Sequence, residues 1–455
     1  MTEGESVLLA DVTTKVGSGS TPRGGEASYK SKGVPLIRSM NVHFDGFRRE
    51  GLAFLDDDQA RALKNVEVRA GDVLLNITGA SIGRVTVAPD TMDGARVNQH
   101  VCIIRPDARL DSSYLRWYLA SPSKQHLING IESGATRQAL TKEKILGFHV
   151  PLPPLDVQRE VVAELEKQFS RLDEAVANLK RVKANLKRYK AAVLKAAVEG
   201  RLVPTEAELA RREGRSYEPG AQLLQRILVE RRGQCKRKVE YHEPATLEAR
   251  DQPELPEGWA WATVEQVSCL IEYGTSAKTS EEHTGIPVLR MGNIVEGELA
   301  VEDLKYLPTE HEEFPKLLLE PGDLLFNRTN SPELVGKTAV FGGVPKVCSF
   351  ASYLIRVRVV QGCMPGLLAA YINSPRGRGW VKSVATQQVG QANVNGTKLQ
   401  ALGVPLPPES EQRRILAEVE RRLSFARQVE AAVNSNVERA NRLRRATLAR
   451  AFSNL

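Results

Sequence analysis

The chain states one set of motifs twice, about 254 residues apart, and each statement ends in a long stretch with helical periodicity. Val150–Pro154 (VPLPP) returns as Val404–Pro408. Gln158-Arg159 leading into Ala163-Glu164 returns as Gln412-Arg413 leading into Ala417-Glu418. Further on, Ala192-Val193-Leu194-Lys195-Ala196 matches Ala446-Thr447-Leu448-Ala449-Arg450 in the same register. Upstream, Gly33–Asn41 (GVPLIRSMN) is echoed by Gly285–Asn293 (GIPVLRMGN), and Gly71–Asn76 (GDVLLN) by Gly322–Asn327 (GDLLFN). The offset there drifts between about 251 and 253. A period this long marks a duplicated domain, not a solenoid. The helical parts repeat in rigid register while the rest drifts, which is the pattern of a fixed spacer carrying two divergent globular domains.

Residues 154–200 are read as one long helix that Asp156 caps and Gly200 ends. Leu165, Leu172, Leu179, Leu186 and Val193 fall every seven residues, with Val162, Phe169 and Val176 on the second seam. Lys183 and Lys190 then interrupt that second seam. At 1.5 Å per residue the rod is roughly 65 Å long, more than a globular domain needs, so a coiled-coil arm is expected. Residues 408–455 repeat it with a thinner, Ala-rich stripe: Leu416, Val419, Leu423, Ala426, Val433, Val437 and Ala440, broken by Glu430 and Arg444. Two such seams suit each other, and two copies in one chain would pack them antiparallel about a pseudo-twofold axis. Between the copies, 201–255 is expected to be a connector, with helices at Glu206–Arg212 and Ala221–Arg232, a basic cluster to Lys238, and an irregular linker from Pro244 to Pro256.

The globular domains, 1–153 and 256–407, read as short strands with turn punctuation and one helix each, Leu110–Leu119 (capped by Asp111) and Pro365–Ile372. The expected class is α+β: two α/β domains with short strands, separated by two long antiparallel helices. A net charge of +8 favours a polyanionic partner. Five cysteines without a C-x-x-C pair fit a reducing compartment, and Met1–Glu5 lacks a signal-peptide pattern; a cytoplasmic location is expected. No apolar run is long enough to span a membrane. A phosphate-binding G-x-x-x-x-G-K-[ST] loop and a G-x-G-x-x-G turn are both missing, and the seven histidines show no metal-ligand spacing. Asp56-Asp57-Asp58 is read as a solvated loop. No catalytic residue and no metal site are expected.

Each half carries three polar loops at corresponding places. The first copy offers Ser18, Ser20, Thr21 and Arg23, then Arg38, Asn41 and His43, then Thr78, Ser81 and Arg84, with Arg137 further on. The second offers Thr275 and Lys278, Arg290 and Asn293, then Arg328, Asn330 and Lys337, with Gln391 further on. Arg reads guanine bidentately, Asn and Gln read adenine, and Ser, Thr and Lys hold phosphates. Ordinary turns in a β-rich domain would also look like this, and duplication would preserve them.

The order of these motifs resembles a known family. A GD-ψ-L-x-N strand and S-I-G-R turn (Gly71–Arg84), a P-L-P-P-x-x-x-Q junction (Pro151–Gln158) and a helix ending in A-A-V-E-G-R-L-V (Ala196–Val203) are echoed at Gly322–Lys337, Pro405–Gln412 and Ala446–Phe452. The layout is similar to the specificity subunit of Type I restriction–modification enzymes. The second half departs from it at Asn330–Val335, where the turn is longer. The resemblance implies a non-catalytic subunit whose two target-recognition domains each contact one half of a bipartite double-stranded DNA site. The helix pair would set the gap and recruit two modification subunits, and restriction subunits would join through those. S-adenosylmethionine, ATP and Mg would be bound by these partners. A methylation-only system fits the same residues. A DNA-binding regulator without sequence specificity, a coiled-coil adaptor, and a stand-alone methyltransferase or nuclease are the competing classes.

Overall fold

The computed structural model describes residues 6–22, 24–132, 139–234, 242–247, 252–388 and 390–453. The chain divides into two compact units, Met1–Arg181 with Val433–Leu455, and Val182–Ala432. The division falls inside both long helices and not at the expected boundaries near 153 and 407. Each globular half holds the helix segments that pack on it.

The first unit runs through β1 (Ser6–Leu8), β2 (Thr13–Ser18), β3 (Val34–Ile37) and the hairpin β4 (Val42–His43) and β5 (Gly46–Phe47). Next come β6 (Ala53–Leu55), α1 (Asp57–Ala62), β7 (Val73–Asn76), β8 (Val85–Val87), β9 (Arg96–Val97) and β10 (Val101–Pro106). It closes with α2 (Ser112–Ala120), α3 (Pro122–Glu132), α4 (Lys142–Leu146), β11 (His149–Pro151) and the start of α5 (Leu155–Val198). A four-stranded antiparallel sheet, β2-β10-β7-β8, lies beside a three-stranded sheet, β6-β3-β9, while β1 pairs with β11. The acidic triplet is a correction: Asp56 caps α1 in a capping box with Gln59, so these residues start a helix and are not a loop. Asp111 caps α2 as expected, accepting from Tyr114 N at 3.0 Å.

The second unit repeats this plan. After α6 (Glu206–Glu213) and α7 (Gly220–Gln234) come β12 (Ala260–Thr263), β13 (Ser268–Tyr273), β14 (Ile286–Leu289), and the hairpin β15 (Ile294–Val295) and β16 (Glu298–Leu299). Then follow β17 (Lys305–Leu307), β18 (Leu324–Asn327), β19 (Thr329–Asn330), β20 (Thr338–Val340), β21 (Ser349–Phe350) and β22 (Leu354–Val359). α8 (Pro365–Asn373), α9 (Pro375–Val384), β23 (Thr386–Gln388), β24 (Gln391–Asn393), α10 (Gly396–Gln400), β25 (Gly403–Leu406) and α11 (Glu409–Ser453) complete it. Its sheets are β13-β22-β18-β20, β17-β14-β21 and β19-β24-β23, with β12 on β25.

The shared motifs serve as framework. Gly71 (φ +85) and Gly322 (φ +95) adopt a left-handed turn that a side chain would strain. The next residue, Asp72 or Asp323, is buried and clamps an arginine on the adjacent strand. Arg105 Nε and Nη2 lie 2.7 and 2.8 Å from the Asp72 oxygens; Arg358 meets Asp323 at 2.7 and 2.9 Å. Each carboxylate also accepts a backbone N–H, from Arg69 at 2.7 Å or Glu320 at 2.8 Å, so the buried charge is fully paired. The P-L-P-P-x-x-x-Q motif is explained by its glutamine. Gln158 is fully buried; its Oε1 accepts from Asp111 N at 2.8 Å, and Nε2 donates to Arg109 O at 2.9 Å and Pro153 O at 2.8 Å. Gln412 does the same with Met364 N, Gly362 O and Pro407 O, at 2.9, 3.0 and 3.0 Å. Each long helix is thereby stapled to the loop that enters α2 or α8.

α5 starts at Leu155, two residues before the start that an Asp156 cap would give, so Asp156 lies in its first turn and is not its cap; Gly200 (φ +65) follows its end. In the first unit Leu165 and Phe169 bury with Trp117 and Leu448, and the Phe169 ring meets Trp117 edge-on at 4.9 Å. Arg444 of α11 pairs with Asp173 and stacks over Phe169. Here the end of α11 runs antiparallel to the start of α5. In the second unit Val193 and Ala197 pack with Ile415 and Val419, again antiparallel. Ile415, fully buried, supplies the contact expected of Leu416. Ala426 and Val433 are buried, whereas Leu172, Leu179, Leu186, Leu423 and Val437 are only half-buried.

The connector is not a free-standing linker. Leu223 and Ile227 of α7 are fully buried in the core of the second unit beside Ala262, Val264 and Leu402. Glu206 and Glu411 lock α6 in place. Buried Glu411 accepts from Trp259 Nε1 at 2.9 Å and from the Glu206 N–H at 2.8 Å. The Glu206 carboxylate in turn meets Arg215 at 2.5 Å and Arg414 at 2.6 Å. Ala245 and Thr263 join the irregular stretch to β12 through a 3.1 Å hydrogen bond.

Candidate nucleic-acid interface

Antiparallel pairing gathers the polar loops at one end of the four-stranded sheet. Cys102 pairs with Ser18, Val101 with Asn76, and Leu75 with Val85, so β2 and β7 end, and β10 and β8 begin, on the same edge. The second unit matches: Tyr273 pairs with Ile355, Asn327 with Leu354, and Phe326 with Thr338. The parallel β3–β9 pair brings Arg38 to that edge, and Asn76 Nδ2 donates to Ser39 O at 2.9 Å and to Ser81 Oγ at 3.2 Å. Loops far apart in sequence therefore form one surface in each unit.

The loop after β7 turns back through Gly83 (φ +81), whose N–H donates to Asn76 O at 2.9 Å, while Asn76 N donates to Arg84 O at 2.8 Å. Gly336 (φ +79) and Lys337 repeat the geometry on Asn327, at 2.7 and 2.9 Å. A methyl group at Gly83 would stand 2.6 Å from Gln125, and at Gly336 2.6 Å from Val381, so neither turn has room for a side chain. Arg84 and Lys337 thus occupy the same place in both copies. Both are half-exposed, and neither has an ion-pair or hydrogen-bond partner for its cation among the described residues.

The other expected residues differ in how freely they stand. Ser18, Ser20, Lys278 and Gln391 are exposed at or beside the edge. Thr21 and Thr78 belong to a chain of side-chain hydrogen bonds, Thr21 to Gln99 to His100 to Thr78, that ties two loops together. Asn330 pairs through its backbone with Ala392, which brings the β23–β24 hairpin and Gln391 to the loop after β18. Arg38 and Arg290 are partly engaged: Arg38 with Glu26 at 2.8 Å and Gly51 O at 2.6 Å, Arg290 with Asp303 at 3.5 Å. Arg328 lies 4.7 Å over the Tyr273 ring, and His43 Nε2 is 2.9 Å from Met40 O.

Three residues depart from the expected exposure. Asn41 and Asn293 are buried with both ends of the carboxamide in use: Oδ1 accepts from the Arg38 or Arg290 N–H, and Nδ2 donates to two carbonyls just beyond the following hairpin. They shape the arginine turn and present nothing to a base. Thr275 is buried and caps Ala277 N at 3.0 Å. Arg23 and Arg137 lie outside the described residues.

A fourth loop, residues 98–100 and its counterpart 351–353, escaped the sequence analysis. It lies between β9 and β10, or β21 and β22, and its backbone joins the site: Ile77 N donates to His100 O at 3.0 Å and Arg328 N to Tyr353 O at 3.0 Å. Gln99 and Tyr353 (50% exposed) stand at its tip. The only hint was position, between a two-residue strand and a long one, with no motif. Away from the edge, Arg356 is buried against Glu272 where the first copy has Ile103 and Gly17, a pair no pattern announced. Among the described residues no group of three His, Cys, Asp or Glu is placed to hold a metal ion, and no helix is long and apolar enough to cross a membrane.

Comparison with known proteins converges on one family. Residues 4–188 match the family model of the Type I restriction modification DNA specificity domain. The chain is 23% identical over 434 residues to the Type I restriction enzyme EcoKI specificity subunit of Escherichia coli K12, covering 92% of this chain and 82% of that protein. It is 23% identical over 457 residues to the EcoBI specificity subunit of Escherichia coli, covering 98% and 85%. Its fold is similar to the HsdS subunit from Thermoanaerobacter tengcongensis, with TM-score 0.56, 18% identity and 100% and 98% coverage. A chain from a structure of type I R-M system assembly and conformational transition aligns with TM-score 0.67 at 19% identity over 100% and 99%. Along nearly its whole length this chain is similar to the specificity subunits of Type I restriction–modification enzymes.

Proposed function

We propose that each unit reads one half of a bipartite double-stranded DNA site through the loop edge of its four-stranded sheet, and that the paired segments of α5 and α11 set the gap between the halves. One observation carries this: a cation, Arg84 or Lys337, with no hydrogen bond or ion pair among the described residues, stands at the same turn of the same edge in both copies, surrounded by loops that differ. Phosphate contacts from a common frame position the duplex, and divergent side chains beside them specify bases. A chain with quasi-twofold repetition can recruit two identical partners while presenting two different readers. These partners would be modification subunits that bind S-adenosylmethionine, with ATP- and Mg-dependent restriction subunits joining through them in the cytoplasm; this chain would act without a cofactor or catalytic residue of its own. Methylome sequencing of cells with and without the subunit tests the proposal. The expected result is one bipartite motif with a fixed gap that vanishes with the subunit; a contiguous motif, or none, would refute it.

A further inference from the structure

Lys190 sits on α5 where the heptad pattern calls for an apolar residue, yet its side chain is four-fifths buried. Its Nζ lies 2.6 Å from Glu430 Oε2 on α11 and 2.6 Å from Glu296 Oε2 in the β15–β16 turn. Arg427, one turn from Glu430 on α11, makes a second tie to that hairpin through Glu298. Glu296 has φ +51, the one non-glycine among the described residues in the left-handed region, and Gly297 follows at φ +89. Such two-residue hairpin turns favour Asn-Gly; a glutamate there is held by what surrounds it. Burial pulls the Lys190 ammonium down, but the two carboxylates outweigh it and its pKa is raised; Lys190 in turn holds Glu296 below its ordinary value.

The hairpin continues directly from the Arg290–Asn293 turn. Asn293 Nδ2 donates to Ala300 O at 3.0 Å and Asp303 O at 3.2 Å, so turn and hairpin form one piece. In the first unit the equivalent hairpin is tied to its own domain, with Phe44 O accepting from Arg116 Nη2 at 2.7 Å. Arg444, the repeat partner of Lys190, instead pairs with Asp173 and stacks over Phe169, both on α5.

We propose that Lys190 is a positioning residue that locks the β15–β16 hairpin, and with it the Arg290–Asn293 turn, to both long helices at once, fixing the angle at which the second domain meets the spacer and hence the accepted gap. This rests on the bipartite function proposed above. The test uses the full chain in its methyltransferase complex, with methylome readout for wild type, K190M, E296Q and K190R. K190M and E296Q should retain both half-site sequences while discrimination between the native gap and gaps one base pair longer or shorter falls at least tenfold, and K190R should restore it. Glu296 is an exposed turn residue, so E296Q reports even if K190M folds poorly. Unchanged gap discrimination in both variants would overturn the inference, as would altered bases in the second half-site or a uniform loss of methylation at constant gap preference. A wild-type complex that methylates no bipartite motif would instead overturn the underlying function.

Discussion

The glutamine staple offers a perturbation whose size follows from its hydrogen bonds and whose control is built into the chain. Gln158→Ala removes three hydrogen bonds of 2.8–2.9 Å from a fully buried side chain and leaves Asp111 N, Arg109 O and Pro153 O without it. At about 1 kcal/mol per bond, with a surcharge for groups left unsatisfied, the loss is about 2–4 kcal/mol. For a unit of roughly 200 residues that corresponds to a fall in Tm of about 4–16 °C. Gln412→Ala should cost a similar amount, because its three bonds have the same pattern. Hydrogen exchange locates the effect: Gln158→Ala should deprotect the Asp111 amide and spare Met364, and Gln412→Ala the reverse. Gln158→Glu adds a pH signature. One carboxylate oxygen can still accept from Asp111 N, but the other faces two carbonyls, so the folded state favours the protonated acid and raises its pKa above the ordinary value of about 4.3. A raised carboxylate contributes stability below its unfolded pKa and loses it as pH climbs through the folded value. The deficit of Gln158→Glu against wild type should therefore widen from pH 5 to pH 8. A Gln158→Ala protein that melts within 1 °C of wild type with unchanged exchange at Asp111 would refute the staple.

Arg84→Ala should weaken recognition of the first half-site only, and Lys337→Ala the second. Each should cost about 1–3 kcal/mol with relaxed specificity at one position if the contact is to a base, or lower the salt slope of binding by about 1 if it is to phosphate, both read from binding isotherms at several salt concentrations. Matched four-residue insertions after Leu179 and Val433 add about 6 Å to each helix, and should lengthen the gap by about one to two base pairs with both half-sites unchanged in the methylome. Glu411→Gln places an amide N–H₂ against either the Glu206 N–H or the Trp259 N–H, at about 1–3 kcal/mol by denaturant unfolding. Burial raises the Glu411 pKa, so its contribution to wild-type stability falls as pH rises through the folded value; the variant should lack that component of the pH dependence.

The duplication, the two long helices and the end of α5 at Gly200 were legible because heptad spacing and C′ glycine chemistry are local. So were α2, α6 and α7, whose caps or periodicity are contained within a dozen residues. The docking of the connector was not, because Leu223 and Ile227 look like any amphipathic stripe until β12 and β25 are in place. At the interface, sequence placed Arg84 and Lys337 at equivalent turns. It could not tell them from Asn41 and Asn293, which share the same composition signature but are consumed by backbone groups seven to ten residues away. Polarity marks a loop; only the fold decides which polar atoms remain unpaired. Gln99 and Tyr353 went unnoticed because their loop is recruited by strand pairing alone.

Two copies in one chain separate frame from reader without any second sequence. Three pairs that both copies keep are buried and paired: Asp72 and Asp323 with their arginines, Gln158 and Gln412 with equivalent backbone groups, Asn41 and Asn293 inside the same turn. These interactions demand fixed atoms at fixed distances, so neither copy can drift there without leaving a buried polar group unsatisfied. Among the residues that differ, Gln99 and Tyr353 stand at the open edge, one on each surface. Side chains there meet water, and exchanging them leaves no buried partner stranded. A surface whose residues are free to vary on a frame that is not can present two different half-site readers while the helices that join them stay in strict register.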